Sequence, residues 1–244
     1  NETGVIYPIE EIAAICRAKG VPFHTDAVQT PGKLKLDVKA MEVDFLSLSA
    51  HKLHAPKGIG LLYVRKGVSF QPYVMGGGQE QGRRGGTENV ANIVAFGKAA
   101  EIAMASLEDN LDRIRALRDR MEGGIMDAID GVTRNGAKEP RLANTSNLSF
   151  ANCEAEAILL LLDREGICAS SGSACTTGSL APSHVLTAMG LTPELAISAV
   201  RLSLSKYSTD GEVDHLLSKM PEIIAKLRGN PSLKPKSKPQ KVEQ

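Results

Sequence analysis

The chain lacks any Cys-x-x-Cys pair. Its four cysteines, at 16, 153, 168 and 175, show no metal-ligand spacing, so a reducing compartment, the cytoplasm, is the expected setting. Long apolar runs are also missing. The longest obvious one, Ala157 to Leu162, falls far short of the roughly 18 residues that cross a bilayer. No basic, apolar and small-residue series opens the chain, which argues against secretion. The glycine-rich run 76–87 lacks the Gly-Lys-Ser/Thr ending of a nucleotide P-loop, which removes ATP binding, and no repeat of solenoid length occurs. A large excess of charge of either sign is lacking too. The net charge is +1, and residues 230–244, with Lys234, Lys236, Lys238 and Lys241 against Glu243, supply +3 of it. The remainder stands near −2, so a general basic surface for nucleic acid is excluded. The prolines at 231, 235 and 239 make that tail read as extended, solvated and disordered. With 42% hydrophobic and 23% charged residues, the rest reads as a soluble globular protein of one or two domains.

What is present concentrates in three places. Ser49-Ala50-His51-Lys52-Leu53-His54-Ala55-Pro56-Lys57-Gly58 sets one lysine among hydroxyl and imidazole groups directly after an apolar strand. A lysine nucleophile must spend part of its time as the neutral amine, and burial beside another cation, here Lys57, favours that form. Twenty-six residues upstream, Val21-Pro22-Phe23-His24-Thr25-Asp26-Ala27-Val28-Gln29 delivers an acid at the carboxyl end of another strand. Ligands gather at such ends in open α/β sheets, so Asp26 and Lys52 can face one pocket. An acid on a pyridinium nitrogen and a lysine imine together hold pyridoxal 5'-phosphate. Alone, Asp26 would read as a turn or cap. The third place, 168–179, surrounds Cys175 with small residues, the setting of an exposed, ionisable thiol. A metal pair of His51 and His54 completed by His24 lacks convergent carboxylates, which leaves no metal site in the motifs.

The periodicity predicts a helix over 9–18, strands over 21–29, 43–49 and 59–64, and a helical stretch over 88–129 broken near 106–110. Beyond it, strands near 145–151, 167–170 and 199–205 alternate with helices over 154–165, 183–189 and 210–227. The expected domains are 1–107 and 108–229, the second α+β.

These motifs, in this order and with Asn1-Glu2-Thr3-Gly4, Gly85-Gly86-Thr87-Glu88-Asn89 and Val200-Arg201-Leu202-Ser203-Leu204-Ser205, make the chain resemble the cysteine desulfurases of the nitrogen-fixation and housekeeping iron–sulfur type, from Asn1 to about Arg228. The resemblance implies the pyridoxal-phosphate fold type I of the class-V aminotransferases: part of a mainly parallel large-domain sheet, and a smaller α+β domain carrying the Cys175 loop. It implies Lys52 as Schiff-base lysine and proton carrier, Asp26 on the ring nitrogen, Gln29 and Asn1 at the ring hydroxyl, and Ser49 and His51 on the phosphate. Arg201, with Asn1, would clamp the carboxylate of L-cysteine. Thr87 would reach the phosphate of the second chain of a homodimer. Cys175 would receive sulfur as a persulfide, pass it to an iron–sulfur scaffold protein and contact a transient cluster there. The rivals are a selenocysteine lyase or another fold-type I pyridoxal-phosphate enzyme, such as an aminotransferase, and a non-catalytic fragment serving dimerisation or scaffold binding. Because the resemblance starts inside a motif, the expectation is a C-terminal portion whose preceding part supplies further strands, a ring-stacking histidine and a phosphate-binding hydroxyl.

Overall fold

The computed structural model describes residues 1–137, 139–172 and 181–229, which fall into two compact units: Tyr7–Asp109, and Asn1–Ile6 with the described residues from Asn110 onward. In the first, α1 (Ile9–Ala18) has the bounds its apolar spacing predicts. It packs through Ala13 on a small core of Ala27, Val43 and Leu46. The sheet beneath has the order β1-β2-β3, with β1 (His24–Asp26) parallel to β2 (Phe45–Ser49) and β2 antiparallel to β3 (Gly60–Val64). The strand expected over 21–29 is therefore much shorter. Asp44 explains where it starts: its Oδ2 accepts the Phe23 N–H at 2.8 Å and its Oδ1 accepts Arg65 Nε at 2.8 Å, tying the entry of β1 to the end of β3. The Phe23 bond and the Arg65 guanidinium hold the Asp44 carboxyl below its ordinary range against the opposing effect of burial.

Between β1 and β2 lies the short α2 (Val38–Met41), capped by Asp37, whose Oδ1 accepts the Lys39 and Ala40 N–H groups. The chain then passes through β2, a 3-10 turn (Ala50–Leu53) and β3 to a single turn, α3 (Gln79–Gly82). The predicted helical stretch is two helices, α4 (Val90–Ala105) and α5 (Leu107–Ala128), interrupted at Ser106 inside the expected break.

The second unit holds the antiparallel sheet β4-β5-β6: β4 (Val132–Arg134), β5 (Thr145–Phe150) and β6 (Ala199–Ser203). The stretch 167–170 is no strand of its own; it contributes one bridge, Ser170 to Arg201. Helices α6 (Ala155–Arg164) and α9 (Asp210–Gly229) share with α5 a core of Met121, Ile125, Leu148, Phe150, Ile158, Val200, Leu202 and Met220. Two short helices, α7 (His184–Ala188) and α8 (Pro193–Ile197), precede β6.

All six residues of β5 are buried, yet four carry polar side chains. Strand alternation resolves this: Leu148 and Phe150 face the apolar core, while Thr145, Asn147 and Ser149 face the other way. Asn147 Nδ2 donates to Glu2 O at 3.1 Å, and Ser149 Oγ donates to Leu195 O at 2.7 Å. That polar face is covered by the first residues of the chain. Val5 bridges Arg141, Leu142 N–H donates to Gly4 O at 2.8 Å, and Gly4, at φ +78°, would place a Cβ 2.9 Å from Thr145 Cβ. By contact, Asn1–Ile6 group with the α+β unit and not with Tyr7–Asp109.

On the helix side of β5, Glu122 is buried with the guanidinium of Arg141 at 2.6 and 3.1 Å, Ser146 Oγ at 2.7 Å and Arg134 at 3.2 Å. Burial pushes its pKa up, but the bonds from Arg141 and Ser146, the Arg141 charge and the Arg134 bond outweigh that and bring it to about 2. A carboxylate depressed on folding contributes stability above its unfolded pKa that disappears as pH falls through the folded value. Glu122→Gln is expected to lower unfolding stability at pH 7 by about 3 kcal/mol and to flatten its decline between about pH 4.5 and 2. Denaturant titrations across that range read both effects.

Candidate functional site

Because β1 and β2 run parallel, with Asp26 opposite Ser47, their carboxyl ends lie at one edge of the sheet. Asp26 ends β1, and Lys52 stands in the 3-10 turn that follows β2. The Asp26 carboxylate is exposed and its Oδ1 accepts the Val28 N–H at 2.9 Å, so the residue also makes the turn its type predicts.

The Lys52 turn owes its shape to its neighbours. In a 3-10 turn residues three apart eclipse, so Ala50 and Leu53 fall on one side. Both are buried against Phe96 of α4, with Ala99, Ala100 and Ala103 around them. Ala50 N–H donates to Ile59 O, and His54 closes the turn in the left-handed conformation at φ 63° with its N–H on Ala50 O. His51 and Lys52 occupy the two positions between the buried pair. Ser49 Oγ and His51 Nδ1 are 2.8 Å apart. Together with Lys57, Gly58, Ile59 and Gly60 they line an open concavity of about 430 Å³. A hydroxyl, an imidazole and an ammonium at one mouth form a donor set that fits a phosphate dianion. His24 Nε2 lies 2.8 Å from Ser47 Oγ, within β1 and β2. No group of three or more His, Cys, Asp or Glu side chains placed for a metal occurs among the described residues.

Gln29 lies in the loop after β1. That loop is wound by Thr30 N–H and Oγ1 on Ala27 O (3.0 and 2.7 Å) and by Lys33 and Leu34 N–H on Thr30 O (both 2.9 Å). Lys33 Nζ donates to Gln29 O at 3.1 Å. Burial lowers the Lys33 pKa to about 8, and the Lys52 charge pushes the same way. Thr87 is exposed in the glycine-rich loop, where Gly85 N–H donates to Val74 O at 2.8 Å. A Cβ on Gly85 would stand 2.8 Å from the Met75 backbone, so only glycine fits that crossing.

The other unit brings together Asn1, Arg201 and Ser170. Arg201 lies opposite Asn147 on the polar face of the sheet, its Nη1 donates to Asn1 O at 3.0 Å, and its backbone exchanges bonds with Ser170. Cys175 lies outside the described residues. Gly172 and Ser183, on either side of 173–180, both meet the buried Glu2: Ser183 Oγ donates to Glu2 Oε2 at 2.7 Å, and a Cβ on Gly172 would stand 3.0 Å from that oxygen.

The profile of the Aminotransferase class-V family matches residues 1–216. The chain belongs to the class-V aminotransferase family. It is 54% identical over 228 residues to "Cysteine desulfurase 2" of Trichormus variabilis and 50% identical over 228 residues to "Cysteine desulfurase NifS" of Azotobacter vinelandii, covering 93% of this chain and 57% of each relative. The chain thus spans little more than half the length of these curated relatives. Among solved structures, a NifS-like protein superposes with a TM-score of 0.84 at 40% identity, and one from Rickettsia africae with 0.85 at 33%. Each comparison covers 92% of this chain, with 58% and 59% of the other. The architecture is therefore the fold type I of this class-V family.

Sequence reasoning passed over Lys33 and Glu2. Lys33 follows a Pro-Gly turn and resembles any solvated lysine; only the packing of Gly32 on the Lys52 turn reveals it. Gly32 has φ +70° and would place a Cβ 3.0 Å from Leu53 Cδ2 and 3.3 Å from Ala103 Cβ. Gly32→Ala is accordingly expected to cost about 1–3 kcal/mol and to speed amide exchange at Leu53 and His54. Exchange mass spectrometry over 48–58 measures it.

Proposed function

We propose that this chain is the lysine- and thiol-bearing portion of a pyridoxal-phosphate-dependent cysteine desulfurase. It would convert L-cysteine to L-alanine, leave sulfur on Cys175 as a persulfide and so supply iron–sulfur cluster assembly. The observation that carries the reading is the shared sheet edge: Asp26 at the end of β1, Lys52 after the parallel β2, and the Ser49 and His51 pair at the adjoining concavity. The names of the curated relatives support the reaction class.

The residues divide the work by chemistry. Ser49, His51 and Lys57 hold a phosphate, Gln29 and Asn1 serve a ring hydroxyl, and Asp26, an exposed carboxylate at the strand end, keeps a proton on a ring nitrogen. Bound there, pyridoxal phosphate supplies an electron sink for the substrate α-carbon. Lys52 Nζ removes the α-proton and returns it, and it is free to do both because its turn is anchored through Ala50 and Leu53. Arg201 presents a guanidinium to the substrate carboxylate, with its Nη1 already fixed on Asn1 O. The Cys175 thiolate attacks the substrate sulfur. An S–S bond forms, the substrate C–S bond breaks, and a proton replaces sulfur on the β-carbon to give alanine.

Thr87 reaches across a homodimer interface to the other chain's phosphate. The exposed apolar side chains near it in sequence, Tyr73, Met75, Val90 and Val94, support a covered surface there. An iron–sulfur scaffold protein takes the sulfur from Cys175, and a cytoplasmic setting suits the thiols. No single helix among the described residues is long and apolar enough to cross a membrane.

Borohydride reduction of the full-length protein with pyridoxal phosphate should leave a covalent label on the Lys52 peptide. Lys52→Ala should remove it. Cys175→Ala should keep the label and abolish persulfide formation; undiminished sulfur release from free cysteine by that variant would sink the mechanism.

A further inference from the structure

Glu2 is a buried acid, 3% exposed, that the steps above leave unused. Its backbone is fixed to the sheet of the α+β unit: Asn147 Nδ2 of β5 donates to Glu2 O, and the preceding carbonyl, Asn1 O, accepts from Arg201 Nη1 of β6. Its side chain meets Gly172 and Ser183, which stand on either side of the Cys175 segment. Ser183 Oγ donates to Glu2 Oε2 at 2.7 Å and accepts the Leu186 N–H at 3.3 Å, so one hydroxyl both binds the carboxylate and caps α7. Gly172, at φ +64°, leaves the room that the carboxylate takes, since a Cβ there would stand 3.0 Å from the same oxygen and 3.8 Å from Ser183 Cβ. Just upstream, Ser170 exchanges backbone bonds with Arg201 and its Oγ donates to Gly172 O at 3.4 Å. The two flanks thus come together in one small space, and Glu2 touches both.

Bringing the two ends of a segment together costs conformational entropy, and a nucleophile carried between them attacks at a rate that depends on how well it is placed. We propose that Glu2 is a positioning residue for Cys175, its carboxylate clasping the two flanks of the cysteine segment to each other and to the short stretch that sets Asn1 on Arg201. A carboxylate suits the task because it accepts a hydroxyl proton in a charge-assisted bond. The clasp uses the Glu2 side chain, whereas Arg201 binds the main-chain oxygen of the residue before it, so a substitution can remove one and leave the other. This inference rests on Cys175 being the thiol that receives the sulfur.

That separation supplies the test. In full-length protein loaded with pyridoxal phosphate, Glu2→Ala should keep the borohydride label on Lys52 and the KM for cysteine. Its kcat for persulfide formation on Cys175, read by mass spectrometry, should fall by roughly tenfold to a hundredfold. Glu2→Gln, which still offers Ser183 an oxygen, should recover most of the loss. Ser183→Gly removes the same bond from the other side with little loss of capping, and should show the same fall. Because the two residues act through one bond, the double variant Glu2→Ala with Ser183→Gly should be no slower than the slower single one. An unchanged kcat in Glu2→Ala, a KM that rises as kcat falls, or single losses that multiply in the double variant overturns the proposal. Should Glu2→Ala fail to fold, Ser183→Gly decides, and a full kcat there overturns it. A Cys175 that gains no persulfide in the unaltered protein overturns the functional reading instead. The clasp is then read by amide exchange at Leu186 and Thr187, whose N–H groups bond to Ser183. Glu2→Ala should speed that exchange, and an unchanged rate would overturn the clasp as well.

Discussion

The parallel pairing of β1 with β2 is the constraint on which the first unit's candidate site depends. Parallel strands send their carboxyl ends to one edge, and only then can an acid and a lysine 26 residues apart share a ligand. Two short-range devices make the pairing useful. Asp44 binds the Phe23 N–H and Arg65, which fixes where β1 begins. The packing of Ala50 and Leu53 under Phe96 turns the chain sharply after β2, so Lys52 projects from an anchored turn. A long, flexible side chain on a rigid base suits a group that must bond, release and carry a proton.

The second unit solves a different problem, the burial of polar groups. Glu122 accepts from Arg141 and Ser146 on one side of β5, and Asn135 donates to Asn147 and Ser149 on the other. Removing one member of either set would leave its buried partner without that bond. The amino-terminal residues complete the second set and bring Asn1 to Arg201 and Glu2 to Gly172 and Ser183. Arg201, the proposed carboxylate clamp, and both flanks of the cysteine segment are thus tied to one short stretch of chain.

Much of this was legible in the residues. Helix 9–18 carried clean apolar spacing, the break at Ser106 interrupted a helical pattern too long for one helix, and the strands beside the lysine segment were short apolar runs. The parts that were not legible depend on contacts distant in sequence. The truncation of β1 comes from Asp44, 21 residues on. The allegiance of 1–6 comes from bonds to 140–147, which no local pattern signals. Strand β4 is three residues long and exists through its partner β5. Lys33 gains its character from burial, which its own neighbours in sequence do not announce.

The claim at the centre is that Asp26 and Lys52 serve one ring. It is tested most directly by the 15N resonance of the ring nitrogen in full-length protein loaded with labelled pyridoxal phosphate. The account predicts a protonated ring nitrogen at pH 7.5 that becomes unprotonated in Asp26→Asn while the Lys52 linkage persists. The same resonance in both proteins would contradict it.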